Sequence, residues 1–456
     1  MPIASGSAHA EGVNRLLRSY RAIPTTATVR LAKPTSNLFR ARAKSTTPGL
    51  DTSGLTGVID VDPVNRTAEV AGMCTYEDLV AATLAHGLSP LVVPQLKTIT
   101  LGGAVTGLGI ESASFRNGLP HESVLEMDIL TGSGEIVTAA PDRLADLYRG
   151  FPNSYGTLGY SVRLRIQLEP VKPFVALRHI RFHSLDELVS VMESIVNTAA
   201  YEGESMDYLD GVVFAADECY LSLGALTAAP GPVSDYTGQR VYYRSIQHPD
   251  GISNDRLTIH DYLWRWDTDW FWCSRAFGAQ NPGIRRLWPR KYRRSSVYWK
   301  LIALDQRYDI ADRIERFNGR PARERVVQDV EVPISRTPEF LRWFLDEIPI
   351  EPVWVCPLRL RDSEGWPLYP IRPGQTYVNI GFWSSVPAGA VEGATNRLIE
   401  RKVSELGGHK SLYSESFYTR DEFEPLYGGE HYRTLKKTYD PDNRLLDLYA
   451  KAVRRQ

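Results

Sequence analysis

Apolar residues recur at helical spacing over 11–22, where Val13, Leu16, Leu17 and Tyr20 share one side, and this predicts a short amphipathic helix. From 25 to 40 the pattern is that of a strand running into a turn. The break falls at Lys33-Pro34-Thr35-Ser36-Asn37, where proline and short polar residues stop extended structure. Residues 54–72 alternate apolar and polar and turn at Asp62-Pro63-Val64-Asn65, which predicts a β-hairpin. A helix is expected over 75–88, with Thr75 as N-cap, Asp78 at the capping-box position and Gly87 as its stop. Residues 123–139 read as strand, turn and strand, a short helix falls near 142–150, and 154–171 read as a glycine turn followed by an alternating strand. Short strands with one or two helices make 25–170 an α+β unit.

The character changes after Pro170. A helix is expected over 182–199, a two-strand pattern over 206–226, and a strand then a helix over 325–348. Further strands are expected at 351–362 and 375–386, and a helix at 393–408. The predicted second unit is an antiparallel sheet covered by helices.

Composition narrows the class. Of 456 residues, 43% are hydrophobic and 23% charged, as in water-soluble globular chains of two or three domains. The formal net charge of −1 does not suggest a nucleic-acid partner. Cys74, Cys219, Cys273 and Cys356 form no CxxC pair, so neither a zinc ribbon nor a disulfide framework is expected, no metal site is predicted, and a reducing cytosolic setting follows. The first residues lack a signal-peptide core, and no run of about 18 apolar residues predicts a membrane span.

The stretch Pro94–Gly118, "PQLKTITLGGAVTGLGIESASFRNG", holds the first candidate chemistry. Gly102, Gly103, Gly107 and Gly109 are interleaved with Thr98, Thr100 and Thr106, then Ser112 and Ser114. Glycine lets backbone N–H groups approach a ligand, and hydroxyls donate to phosphate oxygens, so a pyrophosphate cradle is one reading. A tight turn packed in a core is the other. The pattern is neither a dinucleotide-binding GxGxxG, since the third glycine is missing, nor a P-loop, since no GK[ST] follows.

The order of elements over 57–168 resembles the flavin-binding domain of the vanillyl-alcohol-oxidase type, the PCMH-type FAD fold. A hairpin and a helix lead to a glycine-rich loop, followed by "SVLEMDILTGSGEIV" and "SYGTLGYSVRLRIQL". "GLSPLVVPQLKTITLGGAVTGLGIESASFRNGL", "VVQDVEVPI", "EPVWVCPLRLRD" and "LYSESFYTRDEF" are similar to the Δ24-sterol reductase branch, over most of 25–450. Without the N-terminal hydrophobic anchor of eukaryotic members, the chain most resembles actinobacterial reductases of 10-methyl branched (tuberculostearic) fatty acid formation.

The resemblance implies FAD contacts from Thr35, Ser36 and Asn37 in a first loop and from Thr100, Gly102, Gly103, Thr106, Gly107, Ser112 and Ser114 in a second. It implies Gly118 and His121 along the isoalloxazine, and Gly156, Thr157, Gly159 and Val162 near the ribityl and adenine end. Covalent members attach flavin through His or Cys, which these loops lack, so non-covalent FAD is expected. NADPH is the expected electron donor, using the same flavin face in turn; no second dinucleotide motif is present, and a partner protein is the alternative source.

Both implied substrate types carry an isolated C=C bond. Hydride cannot add first to such a bond, so proton transfer leads or accompanies it, and the cationic carbon needs shielding from water. Candidates for the acid are Glu111, His121, Tyr418 and His431, with Arg420 as an orienting group. Each has a structural alternative: Glu111 holding its own loop, His121 a satisfied core residue, Tyr418 and His431 ordinary core or surface residues. Asp329 and Cys356 belong to the resemblance and read as packing, a strand-end acid and a small buried hydrophobe.

Six of the ten tryptophans, Trp264, Trp266, Trp270, Trp272, Trp288 and Trp299, lie within 264–299, and "RRLWPRKYRR" adds six cations in ten residues. Rings with cations suit a membrane interface, a core with a solvated basic face being the alternative. The expected organisation is an FAD domain over 1–170, completed by 415–456, and a substrate or cap domain over 171–414. The expected activity is FAD-dependent reduction of a 10-methylene acyl chain on a phospholipid, in the cytoplasm at the inner face of the cell membrane, with a methyltransferase or electron-donor partner. A Δ24-sterol side-chain reductase, a flavin alcohol oxidase or dehydrogenase, and a lipid-binding protein without turnover are the alternatives.

Overall fold

Asp62 closes the first hairpin. Its carboxylate accepts from the backbone N–H of Val64 and Asn65, both at 2.9 Å, so the turn is held by one side chain. The structure, a computed structural model, describes residues 6–32, 39–40, 48–107, 109–237, 240–249, 252–308, 313 and 321–454, without the side chains of 305–307. The hairpin strands are β1 (Val58–Asp62) and β2 (Thr67–Ala71). With β3 (Leu88–Pro90), β4 (Val124–Leu130), β5 (Ile136–Ala139) and β6 (Tyr160–Pro170) they form a six-stranded sheet in the order β1-β2-β6-β4-β5, with β3 on the far end of β6. Every pairing is antiparallel.

The second sheet follows from β7 (Phe174–Phe182); a two-stranded hairpin, β8 (Ala200–Tyr201) and β9 (Glu204–Ser205), stands apart. The other strands are β10 (Tyr208–Ala215), β11 (Glu218–Thr227), β12 (Ile252–Thr258), β13 (Arg323–Pro333), β14 (Val353–Leu358), β15 (Tyr377–Pro387) and β16 (His409–Lys410). Their order is β12-β7-β11-β10-β14-β15-β13-β16, again antiparallel throughout. Alternation gives this sheet two faces. Val353, Val355, Val330 and Ile380 pack under the helices Leu185–Thr198, Thr337–Glu347 and Ala394–Glu405, whose Leu188, Met192, Phe340, Phe344, Ile399 and Val403 complete that core. Trp354, Cys356, Tyr377 and Trp383 belong to the opposite face, in a core shared with Val70, Leu79, Leu101 and Leu164 of the first sheet and its helices. The two sheets therefore have one apolar interior between them.

The helix expected over 11–22 begins earlier, at Gly6–Ala22, and buries Leu16 and Tyr20. The helix Tyr76–Leu84 starts as expected on Thr75, whose hydroxyl accepts from Asp78 N–H at 3.2 Å; it ends before Gly87, which carries φ +67 in the turn that follows. The strand expected within 25–40 is absent from the described part: Leu31 makes a single bridge to Leu50. No partner strand runs beside it there, so alternation alone could not produce a ladder. β12, which alternation did not predict, is recruited by β7 over Ile252–Thr258. Residues 429–454 pack back on the first sheet: Lys436 donates to the Thr157 carbonyl at 2.8 Å, and Lys451 donates to that of Tyr155 at 2.6 Å. No helix among the described residues is long and apolar enough to cross a membrane.

Candidate active site

Between the sheets lies a cavity of about 490 Å³. The glycine-rich stretch forms one wall, but not as a bare loop. Leu101–Thr106 is a short helix with Thr100 as N-cap, whose hydroxyl accepts from Gly103 N–H at 3.2 Å. Glycine is a poor helix former, and tertiary contacts override that preference here. Gly102 N–H donates to the Gly72 carbonyl at 3.0 Å, and a side chain at Gly102 would come within 2.2 Å of Ser161 Oγ and 2.5 Å of Gly72 O. Gly102 thus lets the helix lie directly on the backbone of the first sheet. Gly103 is exposed toward the cavity, and a side chain there would meet Thr100 Oγ1 alone.

Thr100, Gly102, Gly103, Thr106, Gly107 and Gly156 all line the cavity. Arg30, Arg40 and Lys451 add cations to the wall. Facing them are rings from the second unit: Trp270, Phe271, Trp354, Trp383 and Tyr413. Trp270 and Phe271 both take left-handed backbone, φ 45 and 57, a costly pair for bulky residues. The corner is braced by the buried Arg285–Asp269 ion pair at 2.6 Å and by Asp267, which accepts from Lys97 N–H at 3.0 Å and from Ser295.

The other expected site residues lie elsewhere. Thr35, Ser36 and Asn37 fall outside the described residues. Ser112 and Ser114 are buried behind the wall: the Ser112 hydroxyl donates to Glu111 Oε1 at 2.8 Å, and Ser114 Oγ accepts from Glu111 N–H at 3.1 Å. Glu111 is held by Arg265 at 2.9 Å; Arg265 also binds Asp210 at 2.9 Å, so this carboxylate ties the glycine-rich stretch to β10. Burial pushes the Glu111 carboxyl upward, against the pull of Arg265. Gly118 takes φ +69 in a turn closed by Glu122. His121 is buried between Trp366 and Tyr369, with neither ring nitrogen hydrogen-bonded among the described residues; burial pushes it down to about 3, so it is neutral at physiological pH. Thr157 donates to the Ser154 carbonyl at 2.7 Å, Gly159 packs on Ile129 and Leu130, and Val162 sits in the core under the first helix. Tyr418 is buried against Phe423 and Tyr427. Arg420 is largely exposed and pairs with Glu424 at 3.0 Å, and His431 is exposed.

Sequence reasoning missed the wall contributed by the second sheet. Asp329 stands in the middle of β13, not at a strand end, and lines the cavity with Asn379. The period-2 pattern of "VVQDVEVP" places Asp329 on the face opposite Val326, Val330 and Val332, which was the available signal. Cys356 is fully buried in β14, in keeping with the packing reading. The aromatic tract divides. Trp264, Trp266, Trp270 and Trp272 are at most 3% exposed and belong to the interior, whereas Ile284, Leu287 and Tyr292 are 43%, 85% and 46% exposed, beside exposed Arg286, Arg290 and Lys291.

The residues present fit FAD. A long ligand with a diphosphate and a flat ring meets hydroxyls, small backbone and cations on one side and aromatic rings on the other. Asn379 Oδ1, buried and without a protein partner among the described residues, leaves an acceptor for a ligand N–H in that wall. Comparison with known proteins agrees: residues 25–140 match the family described as FAD binding domain. Δ24-sterol reductase of Homo sapiens is 25% identical over 415 residues, 87% of this chain and 76% of that protein. The Arabidopsis thaliana protein of the same name is 24% identical over 451 residues, 88% of this chain and 76% of its own. Cytokinin dehydrogenase 6 of Oryza sativa subsp. japonica is 32% identical over 145 residues, 32% of this chain and 27% of that protein. The chain carries an FAD binding domain and is an FAD-dependent oxidoreductase.

Proposed function

We propose that this FAD-dependent oxidoreductase reduces an isolated C=C bond in a lipid, and that its substrate is a methylene-branched acyl chain on a phospholipid, reduced to a methyl branch with NADPH as electron source. The observation carrying the reading is a single cavity lined both by the glycines, hydroxyls and cations of the first unit and by the aromatic rings of the second. When bound, FAD supplies the hydride. Thr100, Gly103, Thr106, Gly107 and Gly156, with Arg30, Arg40 and Lys451, would hold its phosphates and sugars; Thr35, Ser36 and Asn37, outside the described residues, are proposed to add further contacts. Among the described residues no His or Cys lines the cavity, which supports non-covalent FAD. Trp270, Phe271 and Trp383 form an apolar slot that excludes water from a developing carbocation. Similarity to Δ24-sterol reductases over 87% of the chain favours a sterol side chain as the second reading.

The test is anaerobic. The flavin spectrum is expected to bleach with NADPH and to return with methylene-branched phospholipid. Return with a Δ24-sterol instead moves the substrate to the second reading. Bleaching by an alcohol, with no response to NADPH, replaces reduction by dehydrogenation.

Access to a bilayer acyl chain calls for contact with the membrane surface, and the exposed set around Leu287 supplies both chemistries, apolar side chains with Arg286, Arg290 and Lys291. In this reading the enzyme works at the cytoplasmic face of the cell membrane, within reach of a methyltransferase or an electron-donor partner. Reversing Arg286 and Lys291 to Glu removes two cations worth about 1 kcal/mol each at an anionic surface. Binding to phosphatidylglycerol vesicles is expected to fall at least tenfold, in a sedimentation assay at low salt. Equal binding by this variant would remove the membrane contact from the proposal.

A further inference from the structure

Asp329 is the single carboxyl lining the cavity among the described residues. Its place is built from three directions. On β15 the residue directly opposite is Gly381, where a side chain would stand 2.5 Å from Asp329 Oδ1 and 2.6 Å from the Trp383 ring. Glycine there lets the carboxyl and the indole lie side by side above the sheet. Asn379, two residues away on the same face, donates from Nδ2 to Asp329 Oδ1 at 3.1 Å. Tyr413 donates its hydroxyl proton to the carboxyl and accepts from Trp383 Nε1 at 3.0 Å, so a chain of donors runs indole, phenol, carboxyl. Among the described residues no cation forms an ion pair with Asp329. The titratable groups near it are Tyr413, Tyr155, Cys356 and Glu331, all uncharged or held toward their protonated forms by burial; the charged groups of the same cavity are Arg30, Arg40 and Lys451, with Arg40 over the Tyr155 ring at 5.5 Å.

From this geometry we infer that Asp329 is the proton donor to the alkene, with Asn379, Tyr413 and Trp383 as its positioning residues. The assignment rests on the reductase reading above. The Asp329 O–H bond breaks and a C–H bond forms at one alkene carbon, while the other carbon takes the hydride from reduced FAD. The C=C bond becomes C–C, FAD ends oxidised, and a nicotinamide donor reduces it again. The Asp329 carboxylate recovers its proton from water. Trp270, Phe271 and Trp383 line the same cavity, and an aromatic lining suits a transient cation. Burial raises the Asp329 carboxyl to about 6, with Asn379 and Tyr413 pulling the other way, so the acid form is available near neutral pH. None of Glu111, His121, Tyr418, Arg420 or His431 lines the cavity.

The test uses full-length, FAD-loaded enzyme. Wild type is reduced anaerobically with NADPH, then mixed with the lipid that restores its spectrum. Asp329→Asn is expected to slow that return by 10²–10⁴-fold, the usual contribution of a positioned acid. In D₂O, wild type is expected to place solvent deuterium on the carbon that takes the acid proton, while the other carbon takes deuterium only as far as the reduced flavin N–H has exchanged. The rate of return falls as pH rises through about 6, because the acid form is lost. Tyr413→Phe removes a donor that favours the carboxylate, so the midpoint moves up. Without any lipid, infrared spectra should show a protonated-carboxyl band titrating near pH 6 in wild type and missing in Asp329→Asn.

A variant that returns as fast as wild type overturns the donor role and leaves the reductase reading standing. A wild-type enzyme that no alkene lipid reoxidises overturns both. If Asp329→Asn fails to hold FAD, Tyr413→Phe decides, and an unmoved pH midpoint counts against the assignment.

Discussion

Arg265→Met is expected to cost about 3–5 kcal/mol of folding stability at neutral pH, the range for removing one partner of a buried ion pair. The guanidinium is fully buried and lies between Glu111 and Asp210, themselves 3% and 2% exposed. It also donates to the Tyr262 carbonyl at 3.0 Å and stacks on that ring at 4.0 Å. Trp266 and Trp354 donate to Asp210 from their indoles at 3.3 and 3.1 Å, which keeps one carboxylate partly satisfied without Arg265. Glu111 keeps only Ser112, and methionine leaves two acids facing each other in an apolar interior. Glu111, already pushed up by burial and now without the pull of Arg265, titrates higher in the folded than in the unfolded chain. Such groups cost nothing when protonated in both states, and the cost grows as pH rises from the unfolded toward the folded values. The loss should therefore be smaller at pH 5 than at pH 8. Urea midpoints at the two pH values measure it; an equal loss at both would mean that Arg265 acts by packing alone. Retained FAD should fall in step, since Glu111 anchors the glycine-rich stretch.

Gly102→Ala is expected to abolish FAD loading. Overpacked sites that can relax cost about 1–3 kcal/mol, but here the obstacle includes the Gly72 carbonyl, which is backbone. The helix Leu101–Thr106 has to lift from the first sheet, taking Gly103 and Thr106 with it. Gly103→Ala is the contrast. Its methyl group meets Thr100 Oγ1 at 2.9 Å and otherwise points into open space. That variant should fold as wild type, with FAD affinity weakened rather than lost. Flavin content per chain and the melting temperature, with and without added FAD, separate the two. Wild-type flavin content in Gly102→Ala would mean that the close approach does not position the helix.

Local devices were legible in the chain. Asp62 in its turn and Thr75 with Asp78 at a helix start act within three residues, so residue order alone reveals them. The alternation of "VVQDVEVP" and "EPVWVCPL" announced strands for the same reason. The short helix through Gly102 and Gly103 was not legible, because its stability comes from Gly72 and Ser161, distant in sequence. The same holds for Asp329. Periodicity says that it points away from Val330, but not that a cavity lies on that side; Trp270, Tyr413 and the first sheet create it. The tryptophan count over 264–299 could not separate rings that fill the interior from those near the surface. That division rests on Asp267 and Asp269, which tether the segment inward.

The cavity wall draws on residues from Val29 to Lys451, nearly the whole length of the chain. During synthesis, the glycine helix and the first sheet emerge early, with an apolar face that has nothing to cover it. The second sheet arrives later, and Leu446 and Lys451 later still. The cofactor site thus closes only after Lys451 has been made. A nascent chain stalled anywhere before that point has no complete place to hold flavin, and flavin loading marks chains whose synthesis has passed it.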